Sequence, residues 1–171
     1  MTLDELKKIV PYAGNRATTY LEPLNQAMQE FQIDTPLRQA AFIAQVAHES
    51  GSLRYVKEIA SGEAYEGRKD LGNTHEGDGV RFKGRGLIQT TGRSNYLACG
   101  LALGVDLVDA PELLESPEMA CRSAGWFWQT HGLNDLADKG NFLLITKKIN
   151  GGTNGYKERL SFYEKAQKVL A

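Results

Sequence analysis

The stretch from Pro36 to Glu49, PLRQAAFIAQVAHE, restricts this chain more than any other. Leu37, Ala40, Ala41, Ala44 and Ala47 recur at helical spacing along one side, and Phe42, Ile43 and Val46 carry the apolar surface around the others. A helix that is apolar over most of its circumference has to lie inside a domain, with other elements packed about it. Its ends are marked as well. Thr35 can cap it, Pro36 suits the first helical position, and Gly51 stands where a helix leaves through a left-handed residue. His48 and Glu49 fall in the last turn, polar side chains at the end of a buried rod.

Helical signals dominate elsewhere too. Leu3, Leu6, Ile9 and Val10 follow Thr2 at helical spacing, and Tyr20, Leu24, Ala27, Met28 and Phe31 form a second stripe. The pattern predicts further helices over Leu53 to Ala60, Ser94 to Leu103 (stopped by Gly104), Pro117 to Gly132 (opened by Ser116) and Tyr156 to Leu170, with Asn134 and Asn141 capping two short ones. Strand signals are weak. Val80 to Phe82 and Leu87 to Thr91 suggest at most a small hairpin around Gly84-Arg85-Gly86. The expected fold is mainly α.

The 171 residues fit one domain, and the Gly-rich region near 61–92 reads as a loop inside it rather than a boundary. With 42% hydrophobic and 24% charged residues the chain has material for a core and no signature of disorder. Its 20 basic and 21 acidic side chains argue against a nucleic-acid partner, which calls for a basic excess. Residues 1–11 lack the apolar core of a secretory signal, and nothing approaches the roughly 18 apolar residues of a membrane span. The expectation is a product that starts in the cytoplasm with no export route of its own. Cys99 and Cys121, both among apolar neighbours, read as reduced core residues.

The chemistry-bearing residues gather in three segments. In Ala47-His48-Glu49-Ser50-Gly51, the helix dipole and the apolar surroundings both favour a protonated Glu49 carboxyl, the form a glycosidic general acid needs. Glu58 follows nine residues later, beyond the Ser50-Gly51 stop, and can face Glu49 across a chain reversal. Glu63 and Glu66 compete for the same role, and spacing does not choose among them. In Gly84 to Gly92, glycines permit close backbone approach while Gln89, Thr90 and Thr91 offer uncharged donors and acceptors suited to sugar hydroxyls and acetamides. The third segment is the Asn150 to Gly155 loop, followed by Arg159; as turn chemistry alone it needs no function.

Other chemistries fail on spacing. His48-Glu49 lacks the second histidine of a zincin helix, since position 52 is Ser; His75 and His131 are isolated and the cysteines unpaired, so neither metal nor cofactor is expected. There is no Gly-x-Ser-x-Gly elbow. Trp126, Phe127 and Trp128 read as core before they read as a sugar platform.

Taken together, AFIAQVAHESGSLRYVKE (41–58), AYEGRKDLGNTHEGDGVRFKGRGLIQTTGRSNY (64–96), GWFWQTHGLNDLAD (125–138) and ITKKINGGTNGYKERLSFY (145–163) resemble the chitinase-like glycoside hydrolases of family 19, in their compact phage and bacterial form. The resemblance rests on His-Glu-Ser-Gly, Gly-Arg-Gly-x-Ile-Gln and Ile-Asn-Gly-Gly in that order. It implies a lysozyme-like helical fold with a groove between two lobes, and a single catalytic domain over 1–171 with no separate wall-binding domain. It further implies Glu49 as general acid, Glu58 as general base, and Thr91 as the group that helps hold the catalytic water. His48, Gln89, Asn95, Asn150 and Arg159 make up the implied substrate-binding set, Arg159 as a buried arginine near the acid. The disulfides and groove-extending loops of the plant members have no counterpart here. The expected function is that of an endolysin hydrolysing β-1,4 bonds of peptidoglycan by inversion, a monomer that depends on a holin to leave the host cytoplasm and reach the wall and does not insert stably in the membrane. The alternatives are a chitinase, a lytic transglycosylase or a catalytically dead glycan-binding module.

Overall fold

The computed structural model describes all 171 residues and contains nine α-helices and no β-sheet. They are α1 (Leu3–Ile9), α2 (Arg16–Glu30), α3 (Pro36–Glu49), α4 (Asp78–Arg81), α5 (Arg93–Leu103), α6 (Pro117–Thr130), α7 (Leu133–Asp138), α8 (Phe142–Asn150) and α9 (Tyr156–Leu170). Several begin where capping chemistry places them. Thr2 accepts from the Glu5 N–H while Glu5 reaches back to the Thr2 N–H, Thr35 accepts from Arg38 N–H, and Ser116 from Met119 N–H. No helix is long and apolar enough to cross a membrane.

The rod at 36–49 is central, as its composition requires. Every residue of α3 from Ala40 to Ala47 is buried, and α9 packs along it more extensively than any other pair of elements in the molecule. α2 packs on α6, α1 touches both α2 and α9, and α7 crosses α3. One core of 38 buried residues runs from Leu6 to Ala166. Phe42 meets Trp128 edge-on at 5.3 Å within it, so Trp128 is core. Cys99 and Cys121 are free and buried; burial pushes the Cys99 thiol up to about 12 and Cys121 higher still, which leaves both as inert apolar side chains.

Three local expectations fail for identifiable reasons. Leu53 to Ala60 is not a helix. Gly51, Ser52 and Leu53 all have positive φ (58°, 60° and 66°), a run that reverses the chain as soon as α3 ends. Ser50 holds this reversal: its hydroxyl donates to Val46 O at 2.6 Å and accepts from Leu53 N–H at 2.9 Å, while Leu53 is driven into the core. Two non-glycine residues in this region cost on the order of 1–2 kcal/mol each, a strain the Leu53 burial and the Ser50 bonds offset. The hairpin is absent too, because Val80 and Arg81 belong to α4. What remains is a tight loop in which Arg85 and Thr90 exchange both backbone hydrogen bonds. Asn134 caps nothing. Its amide accepts from the Trp128 indole and donates to Phe31 O and Gln32 O, tying α7 to the end of α2.

The segment 51–92 makes the second, loop-rich body, with α4 packed on the turn at Glu63–Tyr65 and α5 on that at Lys69–Leu71. Its anchor is Asp78, 1% exposed, gripped by Arg93 through two hydrogen bonds of 2.8 and 2.9 Å and by the His75 N–H. The Arg93 hydrogen bonds hold the Asp78 carboxyl below its ordinary value of 3.8. A carboxylate depressed in the folded state stabilises it fully above the unfolded value, and that contribution is lost as pH falls through the folded one. The melting temperature of the wild type is therefore expected to fall as pH drops below about 4, with the 62–92 region losing hydrogen-exchange protection first. Asp78→Asn should be less stable at neutral pH and show a flatter acid slope; an unchanged slope in calorimetric melts would remove Asp78 as the cause.

Candidate active site

The end of α3 and the start of α9 build a polar cluster around Glu49. Gln45 lies one helical turn before Glu49 and so on the same face. Arg159, in the first turn of α9, reaches across to both. Its Nη1 donates to Gln45 Oε1 at 2.6 Å, its Nε donates to Asn154 O at 3.1 Å, and its Nη2 forms an ion pair with Glu49 Oε1 at 2.6 Å. Gln45 in turn donates to Thr146 Oγ1 at 3.0 Å, and Thr146 donates to Phe142 O. Gln45, Thr146 and Arg159 are all buried, and no buried side-chain polar atom in the molecule lacks a partner. Buried polar groups are tolerable only in such a closed network. The apolar environment read from the sequence is thus corrected: Glu49 faces a buried guanidinium, and its side chain is 25% exposed. The ion pair uses Oε1, and no residue hydrogen-bonds to Oε2.

Two other expected residues serve the same corner. Asn150 Oδ1 accepts from the Asn154 N–H at 3.1 Å, closing the loop whose carbonyl holds Arg159. His48 Nδ1 lies 2.8 Å from Glu158 Oε1, and its ring is packed so closely on Gly155 that a Cβ there would come within 2.2 Å of it. His48 therefore fixes the start of α9, and with it Arg159.

A second cluster, around Glu58, is made by backbone pairing. Glu58 N–H donates to Gly84 O at 2.9 Å and Gly86 N–H to Val56 O at 2.8 Å, which lays residues 56–58 against 84–86. Glu58 Oε1 then accepts from the Gly84 N–H at 2.5 Å, and Oε2 accepts from the Tyr65 hydroxyl at 3.0 Å. Burial first, and then this hydrogen bond, push the Tyr65 hydroxyl above its ordinary value, so it stays a donor. Gly84 is the hub. A Cβ on it would lie 2.6 Å from Gln89 Oε1 and 3.2 Å from Thr91 Oγ1, so only glycine lets these two groups and Glu58 share one point. Asn95, in the first turn of α5, donates to Thr91 O at 2.8 Å and steadies it from behind.

Of the three competing glutamates, Glu58 is the one joined to Gln89 and Thr91 through Gly84. Glu66 is committed elsewhere, accepting from the Gly77 and Gly79 N–H groups at 2.8 Å each, which hold its carboxyl below the ordinary range. Glu63 is exposed and makes no ion pair. Gln45, Tyr65 and Glu158 are members of the arrangement that sequence reasoning passed over. Gln45 had a readable signal, a polar residue one turn from Glu49 on a rod buried all round. No group of three or more His, Cys, Asp or Glu side chains converges as a metal cage. A separate hollow bordered by Leu97, Leu101, Val105 and Leu107 contains none of these residues.

The sequence and the fold have known counterparts. The class I chitinase model of glycoside hydrolase family 19 matches residues 33–140, a span that holds Glu49, Glu58, Gln89, Thr91 and Asn95. A glycosyl hydrolase family 19 domain-containing protein of Haemophilus influenzae is 29% identical over 158 residues, covering 74% of this chain and 77% of its own. An endochitinase of Arabidopsis thaliana is 40% identical over 114 residues, 66% of this chain but 38% of its own. Among solved structures, chitinase C of Streptomyces griseus superposes with a TM-score of 0.77 at 25% identity, covering 99% of this chain and 76% of that one. A bacterial family 19 chitinase gives 0.83 at 24% identity, covering 99% and 94%, and shares the fold.

The chain is a glycoside hydrolase of the lysozyme-like helical class. It belongs to glycoside hydrolase family 19, the chitinase-like family, and spans well under half the length of the Arabidopsis endochitinase it matches.

Proposed function

We propose that this enzyme hydrolyses the β-1,4 glycosidic bonds of bacterial peptidoglycan as an endolysin, by inversion, with Glu49 as general acid and Glu58 as general base. The observation that carries the chemistry is the unequal support of the two carboxylates. Glu49 has one oxygen paired with buried Arg159 and the other open, which orients a proton toward a leaving oxygen. Glu58 is held only by neutral donors, the Gly84 N–H and the Tyr65 hydroxyl, beside the Thr91 hydroxyl near Gly84. In a single displacement Glu49 protonates the glycosidic oxygen while Glu58 takes a proton from a water that Thr91 helps to orient on the opposite face of the sugar. Inverting enzymes keep their carboxyls about 6.5–9.5 Å apart to admit that water. Gln89 offers its amide to hydroxyls and acetamides, while Asn95 and Asn150 act through the loops they hold, at Thr91 and at Arg159, and His48 and Arg159 fix the acid.

The choice of peptidoglycan is supported by the free, buried cysteines, which set this protein apart from disulfide-braced secreted enzymes. In this reading the protein works as a monomer, accumulates in the host cytoplasm of a phage infection, and reaches the wall when a holin opens the membrane. A chitinase is the second reading, favoured by the names of the relatives. Chitin and peptidoglycan share the linkage and the acetamide, so the same groove suits both. Mass spectrometry of borohydride-reduced products from purified peptidoglycan separates the cases. Reduced muramic acid ends are the expected result, and reduced glucosamine ends would make the enzyme a glucosaminidase. Chitin oligomers cleaved with peptidoglycan left intact would move the protein to the chitinase reading.

A further inference from the structure

We propose that the cavity beside Glu58 is a subsite that reads carboxylates carried on the glycan, and so selects charged wall strands over neutral polymers of N-acetylglucosamine. The inference rests on the peptidoglycan reading and adds a specificity device to it. The cavity measures about 490 Å³ and is bordered by Arg54, Tyr55, Val56, Lys57, Glu58, Ile59, Lys83 and Glu115. That is the size of an ordinary ligand cleft, about 300–1,000 Å³.

Its charges are not balanced. The chain as a whole carries 20 basic and 21 acidic residues, yet three cations and two carboxylates border this one cavity. Neither carboxylate pairs with Arg54 or Lys83. Glu115 is shared between Arg85 at 3.0 Å and Lys57 at 3.7 Å. Each oxygen of Glu58 accepts one bond, from the Gly84 N–H and from the Tyr65 hydroxyl, and neither forms an ion pair with a cation. Arg54 forms no ion pair, and its guanidinium lies 6.0 Å from the Tyr55 ring centre. Lys83 Nζ donates to Ala60 O at 3.2 Å and retains two further donors. Two cations without acidic partners thus stand beside the candidate general base.

A polymer of N-acetylglucosamine is neutral and gives such cations nothing to bind. A wall glycan bears on alternate sugars an O-lactyl group, whose acid is either free or extended by a peptide with carboxylates of its own. Tyr55 and Ile59, 42% and 85% exposed, add apolar surface in the same cavity for the carbon skeleton of such a substituent. The shared chemistry is a carboxylate projecting from the sugar next to the bond being cut.

Four substrates test this: intact wall strands, strands stripped of peptide by an amidase, stripped strands with their lactyl acids converted to neutral amides, and N-acetylglucosamine oligomers. The wild type should cleave the carboxylate-bearing strands with a higher kcat/KM than the neutralised ones. Arg54→Gln and Lys83→Gln should each reduce that ratio about fivefold at low ionic strength, the upper range for a partly exposed charge. Salt near 0.5 M, which shortens screening to about 4–5 Å, should reduce the wild-type ratio in the same way. A preference for intact over stripped strands would assign the carboxylate to the peptide, a preference for stripped over intact strands would assign it to the lactyl group, whose acid is an amide while the peptide is attached, and equal rates on these two would show that the subsite reads either. Equal wild-type rates on charged and neutralised strands, or a ratio untouched by both variants, would overturn the subsite while leaving the peptidoglycan reading in place. Cleavage of the oligomers with no wall strand cut would overturn that reading and the subsite together.

Discussion

Glu49→Gln is expected to lower glycan hydrolysis by about two to four orders of magnitude, the usual contribution of a positioned general acid, while the protein still folds. The exchange removes the transferable proton and keeps the shape. Its effect on stability is small for a reason visible in the site. Arg159 is 1% exposed, but its hydrogen bonds go to Gln45 Oε1 and Asn154 O, and both survive the substitution. What is lost is one ion pair to a side chain that is itself 25% exposed. A hydrogen bond or pair involving a charged group contributes about 1.5–3 kcal/mol, and the glutamine carbonyl recovers part of it. At about 2–4 °C per kcal/mol for a chain of this size, the melting temperature should drop by less than about 10 °C. Removing the guanidinium instead would strand Gln45 and Glu49 together, and loss of activity could not then be separated from loss of structure. Reducing-end assays on peptidoglycan and on chitin oligomers, read beside a thermal melt, give the answer. Full activity in Glu49→Gln would end its assignment as the acid.

The sequence made the helical half of this site legible and the loop half only partly so. α3 could be read to the residue because its cap, its first-turn proline, its all-round apolarity and its terminal glycine agree with one another. Glu49 inherits its position from that agreement. Arg159 and Gln45 meet across 114 residues of chain, and the stretch 145–163 tied Arg159 to the acid only through family resemblance. The loop half obeys different rules. Leu53 to Ala60 carries helical composition, but the left-handed run at Gly51, Ser52 and Leu53 sets the path, and a run that includes a serine and a leucine has no composition signal. Val80 and Phe82 look like strand residues, yet Asp78 starts a helical turn there because Arg93, fifteen residues later, holds it in place. Asn134 has the composition of a cap and spends its amide on Phe31 and Gln32, about a hundred residues away. In the last two cases a hydrogen bond from well along the chain outweighs a local preference of a few tenths of a kcal/mol, and in the first the Ser50 bonds and the burial of Leu53 do so. The choice of Glu58 over Glu63 and Glu66 belongs to the same class, since it depends on where Gly84 lies.

Glu58→Gln tests the other half of the mechanism, and its expected effect is nearly as large. The site should tolerate the amide. Its oxygen can keep the Gly84 N–H, and its NH₂ can donate to the Tyr65 hydroxyl, which exchanges its role from donor to acceptor. The backbone bond from Glu58 N–H to Gly84 O is untouched, so residues 56–58 stay against 84–86. A water in the same place would lose the group that takes its proton. If Glu58 is the general base of a single displacement, hydrolysis falls by about two to three orders of magnitude with little change in KM, because the lost interaction exists only in the transition state. An anionic nucleophile small enough to occupy the water's place, such as azide, should recover part of the rate, since it needs no deprotonation. A transglycosylase behaves differently. It closes the muramic acid ring with the sugar's own hydroxyl, uses no water, and would keep its rate in Glu58→Gln while yielding anhydro-muramyl ends. Retained activity with anhydro products would replace hydrolysis by transglycosylation. Retained activity with ordinary reducing ends would show that another group activates the water, with Thr91 and its neighbours around Gly84 the first place to look.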